Sequence, residues 1–333
     1  MTRHTFQLRC SITVFCTLIF MFCPAIHALD NSAVGIDADT QLDYADRLLK
    51  NGDYDIAAGE YIRFIHFFPD DGRVAEAIYK SGVSYFKARR YDRAIQRFRT
   101  LIDTYPDAPV SGEASFMMSR TYLAMGEPGS AVNCLYNMTA ATGDTDLKDR
   151  GNYEIGWIYL EHPWAVGHRE QDNGYELFPE TAAVNAAQAY FQKVEGVNRD
   201  KFRIDDLNSG VDRIRSSEWK RPLLAGTLSI VPGAGQVYCG RYQDGAVAFI
   251  LNAAFIFAAY ESFTNDSPVL GGLISVVGAG FYMGNIYGAV GDAHKYNRRL
   301  YKYKVNGLKE EFKIGLLQKA GQPALGLSFN TLF

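Results

Sequence analysis

Between residues 40 and 160 the apolar positions recur three and four apart, the spacing of one helical face, and the faces come in pairs separated by short polar turns. Tyr54, Ala57, Tyr61, Phe64 and Pro69 return 37 residues later as Tyr91, Ala94, Phe98, Leu101 and Pro106. The next step gives Pro128, Ala131, Leu135 and Met138. The preceding helices keep the register, with Ala77, Gly82 and Tyr85 matched by Ala114, Ser119 and Tyr122, then by Gly151, Gly156 and Tyr159. Each copy predicts two helices joined by "NGDY", "ARRY" or "MGEP". Small residues such as Ala57, Gly82, Ala94 and Ala131 mark where the paired helices must approach closely. One such hairpin cannot bury its apolar face alone, so the copies are expected to stack.

A fourth copy is interrupted. "GNYEIGWIYL" supplies its first helix, and Ala187, Phe191 and Val194 repeat the second-helix spacing after an insertion that holds His162 and His168. Residues of about 40–198 thus resemble tetratricopeptide repeats. Their "FPDD" and "YPDAP" endings and long period resemble the subgroup found in periplasmic envelope-assembly and cell-division proteins of Gram-negative bacteria. The resemblance implies a groove for peptide or protein partners along the first helices. Carried over by register, that face holds Tyr79, Phe86, Phe116, Arg120, Tyr153 and Trp157. Large rigid aromatics and arginine are residue types that dominate binding energy at interfaces, although the same residues can pack between repeats.

After residue 221 the pattern changes to long stretches without charge, "GAVAFILNAAFIFAAY" over 245–260 and "SPVLGGLISVVGAGFYMGNIYGAVG" over 267–291. At about 1.5 Å per helical residue these approach or match a hydrocarbon layer of roughly 30 Å. The preceding piece, 223–238, is apolar but broken by Pro232, Gly233 and Gly235. Its glycines do not form a nucleotide loop: Gln236, Val237 and Tyr238 stand where a phosphate loop needs lysine and Ser/Thr. Gly280, Gly284 and Gly288 share one helical face and would admit a partner helix, and Asn252 and Asn285 are expected to hydrogen-bond between helices. Pro232, Gly233, Gly235, Gln236, Tyr238, Gly240 and Gly245 resemble the PGxGQxYxG signature of small bacterial membrane-hairpin domains. That resemblance implies residence in the bilayer and says nothing of an activity.

The N-terminus orders Arg3 and Arg9, an apolar run and small residues up to Ala28, which predicts a signal peptide over 1–28. Its removal leaves Cys134 and Cys239, too few for a disulfide framework. The formal net charge of -3 offers no basic field for nucleic acid. Lys295, Arg298, Arg299, Lys302 and Lys304 follow the last apolar stretch, and the positive-inside rule would put them in the cytoplasm. With exported repeats this favours three crossings over two. Leu308, Phe312 and Leu316 predict an interfacial helix, and the alternating tail from Leu325 a short strand or coil. No zinc spacing or catalytic constellation occurs; His162, His168, Glu161, Glu170 and Asp172 read as a solvated loop.

These patterns predict an all-α chain, a tetratricopeptide-type α-solenoid followed by a transmembrane helical domain. Its parts are a signal peptide (1–28), about four repeats (40–198), a linker helix (199–221), a glycine-rich membrane domain of two or three crossings (222–292) and a basic amphipathic tail (293–333). The expected role is a non-enzymatic scaffold or adaptor in a bacterial cell membrane, the inner one favoured, with periplasmic repeats. Expected partners are envelope proteins or peptides, the bilayer, and further copies through the glycine-rich helices, with no nucleic acid, cofactor or metal. The alternative is an insertion, assembly or transport component whose membrane domain is the active part.

Overall fold

The computed structural model describes residues 36–168 and 179–319. The segment expected to be a signal peptide, half of the insertion and the terminal alternating stretch lie outside them. The chain divides into two compact units, 1–101 and 102–333. No strand occurs among the described residues.

The first unit holds α1 (Ala38–Asn51), α2 (Tyr54–Phe67), α3 (Val74–Lys87) and most of α4 (Tyr91–Thr104). Asp37 caps α1 by accepting a hydrogen bond from the Thr40 amide at 2.7 Å. The turns repeat in conformation as well as in sequence. Gly52, Arg89 and Gly126, 37 residues apart, all take positive φ, at 93°, 58° and 78°. A chain reversing between stacked helices needs this left-handed residue, and Arg89 adopts it despite its Cβ. Gly82 shows why a small residue recurs one turn before the hairpin: a Cβ there would lie 2.6 Å from the Phe98 ring.

The second unit continues the pattern with α5 (Pro109–Ala124), α6 (Pro128–Ala141), α7 (Thr145–Glu161) and α8 (Pro179–Phe191). Proline opens α5 and α6, where the missing amide would have had no helical partner. Gly156 repeats the role of Gly82, its would-be Cβ 2.3 Å from Phe191. In the copy between them the second helix carries the smaller Leu135, and the first carries Ser119. The residues expected to form a linker helix instead build α9 (Gly196–Lys201) and α10 (Ile204–Arg215), with Ile204, Leu207, Val211 and Ile214 buried in the same core.

The C-terminal part begins with two short helices, α11 (Pro222–Leu228) and α12 (Ala234–Tyr238), followed by α13 (Tyr242–Thr264) and the 52-residue α14 (Pro268–Lys319). Residues 223–238 therefore make no continuous span. Among the described residues, two helices are long and apolar enough to cross a membrane, and only 11% of each apolar window is buried in protein. A core helix of similar composition would be mostly covered; here Val247, Ile250, Ile256, Phe257, Leu273 and Val276 face outward. The pair forms an apolar hairpin suited to lipid.

Beyond the apolar stretch α14 runs on without a break into the core of the repeats. Tyr301, Val305, Leu308 and Phe312, spaced four, three and four apart, are each 3–4% exposed. Tyr301 donates its hydroxyl proton to the Leu160 carbonyl at 2.8 Å, Leu308 fills the space left by Gly210, and Phe312 meets Trp157 edge-on at 6.1 Å. Lys309 pairs with Glu161 and Arg213 with Glu311, both at 2.7 Å. Leu308 and Phe312 thus face protein, not the lipid interface expected from the sequence. Burying four such side chains stabilises by about 1.5–3 kcal/mol each, so no bilayer can separate this tail from α7 and α10. The packing of this tail supports two crossings over the three that the charge pattern favoured.

Single cysteines introduced as Glu218→Cys, Tyr303→Cys and Asn265→Cys in a chain lacking Cys134 and Cys239 should react with an impermeant thiol reagent in two groups. The first two label from one side of the membrane and the third from the other. Joint labelling of all three would remove the two-crossing hairpin.

Candidate functional site

The inner-face residues separate into two classes. In the first unit Tyr79 and Phe86 are half-buried, their rings 6.0 Å from Phe98 and 5.9 Å from Tyr91, and each keeps an edge at the surface. In the second unit Arg120 is half-exposed, 3.8 Å from Glu154. Phe116, Tyr153 and Trp157 are not surface residues. Phe116 is 1% exposed beneath the Arg150 guanidinium at 3.9 Å. Tyr153 stacks on Phe202 at 4.7 Å, and burial pushes its phenol up to about 12. Trp157 is enclosed by Phe191 and Phe312. The face expected to receive a partner at the fourth copy is filled by this chain's own α9 and α14.

Around Phe116 lies a charged cluster that the sequence reading passed over. Arg150 pairs with Glu113 and approaches Glu154 at 3.7 Å. Glu113 and Arg150 stand 37 residues apart, so they occupy one register position in adjoining copies. Opposite charges at that spacing were the available signal. Burial pushes the Glu154 carboxyl above its ordinary range, while Arg120 and Arg150 pull against that. Within the insertion, His162 sits edge-on to Trp164 at 5.3 Å, and the side chains of His168, Glu170 and Asp172 lie outside the described residues.

The glycine-rich motif forms a compact joint against α14. Gly233, at φ 86°, ends the turn after α11, and a Cβ there would lie 2.1 Å from the Gly245 carbonyl oxygen. Gly235 is equally constrained, its would-be Cβ 2.1 Å from Ser229 Oγ and 2.2 Å from the Ala225 carbonyl oxygen. Gly240, at φ 77°, has open space around it, so its requirement is conformational. These close approaches bring Gln236 to α14, where its Nε2 donates to Asn285 Oδ1 at 2.9 Å and to the Asn285 carbonyl at 3.0 Å. Asn285 Nδ2 donates to the Ser229 carbonyl at 3.2 Å, and its Oδ1 also accepts from the Gly233 amide at 3.4 Å. The backbone groups freed by the break between α11 and α12 are thus met by a side chain, as a broken helix at membrane depth requires.

Further ties hold the joint. Tyr238 accepts from the Arg221 amide at 3.1 Å, and the Lys220 ammonium lies 4.7 Å from its ring. Asn297 both accepts from the Lys220 amide and donates to the Lys220 carbonyl, each at 2.8 Å. Arg241 bridges Asp244 and the nearly buried Asp292. Asn285 thus bonds to the broken segment, not to α13, and Asn252 donates to Ala248 on its own helix at 2.7 Å. Gly288 meets Gln236 Nε2 at 3.7 Å, and Gly280 and Gly284 have nothing within 4 Å of a would-be Cβ. Among the described residues, no helix packs on Gly280 or Gly284.

A family model described as tetratricopeptide repeat matches residues 76–108, the span of most of α3 and all of α4. No curated protein matches the chain. The repeat supports a role in protein–protein interaction.

Gly235→Ala should lower the thermal unfolding midpoint in detergent by an amount equivalent to about 1–3 kcal/mol of overpacking, since backbone and Ser229 cannot withdraw from the new methyl. Gly284→Ala should be neutral or stabilising by about 0.5–1 kcal/mol, the ordinary preference of a helix for alanine. For Glu154 the folded value lies above the unfolded one, so its contribution is present at acid pH and lost as pH rises through the folded value. Glu154→Gln should therefore lose less stability than the unchanged chain as pH rises above the ordinary glutamate range, read in thermal melts.

Proposed function

We propose that the protein is a membrane-anchored scaffold of the bacterial cell envelope, which holds protein or peptide partners on its helical repeats at a set distance from the bilayer. The observation that carries this reading is the continuity of α14, whose proximal half belongs to the apolar hairpin and whose distal half is core to the last repeats. A partner bound to those repeats is held near the membrane, which raises its effective concentration toward other membrane proteins.

The signal-type N-terminus supports placing the repeats in the periplasm, anchored in the inner membrane. On the two-crossing arrangement Lys220, Lys295, Arg298, Arg299 and Lys302 then lie on the repeat side. There they can meet anionic headgroups of that leaflet, so their placement needs no third crossing. The surface offered to partners is narrower than the sequence implied. It consists of Tyr79 and Phe86 in the first unit and, separately, Arg120 in the second. The PGxGQxYxG stretch acts as the joint of the anchor. A second reading, in which the membrane domain itself handles a client during insertion, assembly or transport, draws on the polar groups gathered at Gln236, Asn252 and Asn285.

Photocrosslinking in intact cells, with the crosslinked partners identified by mass spectrometry, tests the scaffold reading. Phe86→Ala and Arg120→Glu should each reduce partner yield by about tenfold, as removal of an interface anchor does, with the protein still in the membrane fraction. Unchanged yields from both variants would sink the repeat surface as the site of capture. Loss of yield on Asn285→Ala alone would transfer the role to the membrane domain.

A further inference from the structure

The broken pair α11–α12 descends along α14 and returns to the side from which it came. Its contacts with α14 give its depth at each point. Lys220 is tied to Asn297 at 2.8 Å, Ser229 and Gly233 reach Asn285, and the Ile230 carbonyl accepts from the Tyr282 hydroxyl at 2.9 Å. The chain then climbs back past Ala289, whose carbonyl the Cys239 thiol meets at 3.8 Å, to Asp292, which pairs with Arg241. Asp292 marks the end of the apolar stretch, and from it to Tyr282 is about 15 Å of helix, half of a hydrocarbon layer of roughly 30 Å. The pair therefore reaches the depth of one leaflet and turns back.

Its outward surface suits acyl chains. Residues 222–240 carry no charged side chain, and Arg221 and Arg241 stand at the two ends. Leu223, Leu228 and Val237 are exposed, and Ile230 and Val231 at the turn are 66% and 59% exposed. The Thr227 and Ser229 hydroxyls donate to the Leu224 and Ala225 carbonyls one turn back, both at 3.0 Å. Tyr282 covers the carbonyl at the turn, a cap that water would make redundant. The hairpin is unequal from end to end. Near its loop α13 and α14 touch, with Phe263 against Gly271 and Phe255 stacked on Phe281 at 4.9 Å. On the repeat side the broken pair packs on both, with Gly233 and Val237 against Gly245, and Gly226 and Gly235 against Val290 and Ala289.

We propose that α11–α12 is a wedge in the repeat-side leaflet, which sorts the protein to membrane that is convex toward its repeats. Two helical segments occupy the loop-side leaflet and four the other. At a diameter of about 10–12 Å, each extra segment displaces on the order of 100 Å² of lipid there. Unequal displacement is relieved where the more crowded leaflet is stretched, which is the convex face of a bend. The partner is thus the acyl-chain layer of a curved membrane, with Arg221, Arg241 and Lys295 at headgroup level. The inference rests on the anchored reading and requires no capture of partners by the repeats.

The test uses the full chain lacking Cys134 and Cys239, with a fluorophore at Glu218→Cys, at low density in giant vesicles from which nanotubes are drawn outward. Fluorescence that an impermeant quencher abolishes comes from chains with repeats outside. That population should be enriched in the tube by about twofold or more, equivalent to about 0.4 kcal/mol, and the shielded population depleted. Leu223→Ala, Leu228→Ala, Ile230→Ala and Val231→Ala combined, all at exposed positions, should keep the unfolding midpoint and bring both ratios toward one. Ratios that this variant leaves unchanged assign the sorting to the bulk of the repeats and overturn the proposal, as does equal density of the unchanged chain in tube and vesicle. A nitroxide at Val231→Cys should lie at the depth of one at the exposed Met283→Cys. Access of an aqueous relaxant to Val231→Cys overturns the proposal in favour of a solvated turn, and access of neither an aqueous nor a lipid-soluble one overturns it in favour of a second copy. Failure to enter vesicles removes the anchored reading together with the wedge, whereas entry without sorting removes the wedge alone.

Discussion

The structure of the second unit depends on one uninterrupted helix. Along α14 the surroundings change from lipid-facing, at Leu273 and Val276, to the polar joint at Asn285 and Asp292, and then to protein core at Tyr301 and Leu308. No break relieves these demands, so each stretch must satisfy its own environment in one fixed helical phase. The apolar stretch leaves its side chains outward. The joint uses amides and one carboxylate, and the distal stretch presents a stripe four residues deep to α7 and α10. Membrane anchoring and repeat packing are thereby one mechanical problem.

The joint shows how a glycine-rich sequence can be demanding in lipid. Chain breaks are costly where water cannot solvate the freed groups. Here Gly233, Gly235 and Gly245 allow backbone to lie against backbone, and that proximity lets Asn285 reach both the Ser229 carbonyl and the Gly233 amide. Gln236 then locks Asn285 in place. The glycines serve contact between the broken segment and the hairpin more than contact with a separate helix.

Much of the fold was legible in the sequence because it is local and periodic. The 37-residue register located the helix pairs, the turns that hold Gly52 and Gly126, and the close approach at Gly82. The candidate surface was less legible. Tyr153 and Trp157 meet Phe191 of their own copy, and residues farther along the chain, Phe202 and Phe312, complete their cover. Periodicity within a repeat carries no record of what docks on it. The stripe Tyr301, Val305, Leu308 and Phe312 has the same spacing whether it meets lipid or protein. The charge rule for topology favoured three crossings, whereas the packing of the tail on the last repeats, which charge alone does not register, supports two. Asn285 was recognised as an interhelical donor; its partners, Ser229 and Gly233, lie in the broken piece whose fold the sequence did not specify.

The blunt continuity of α14 also makes the anchor a lever. A hairpin longer than the local hydrocarbon thickness adjusts by tilting. From Asp292 to Phe312 the helix advances about 30 Å outside the apolar stretch, so a small change of angle in the bilayer becomes a displacement of several ångströms at the last repeats. On the proposed anchoring, a change in bilayer thickness would reach the last repeats as a mechanical signal.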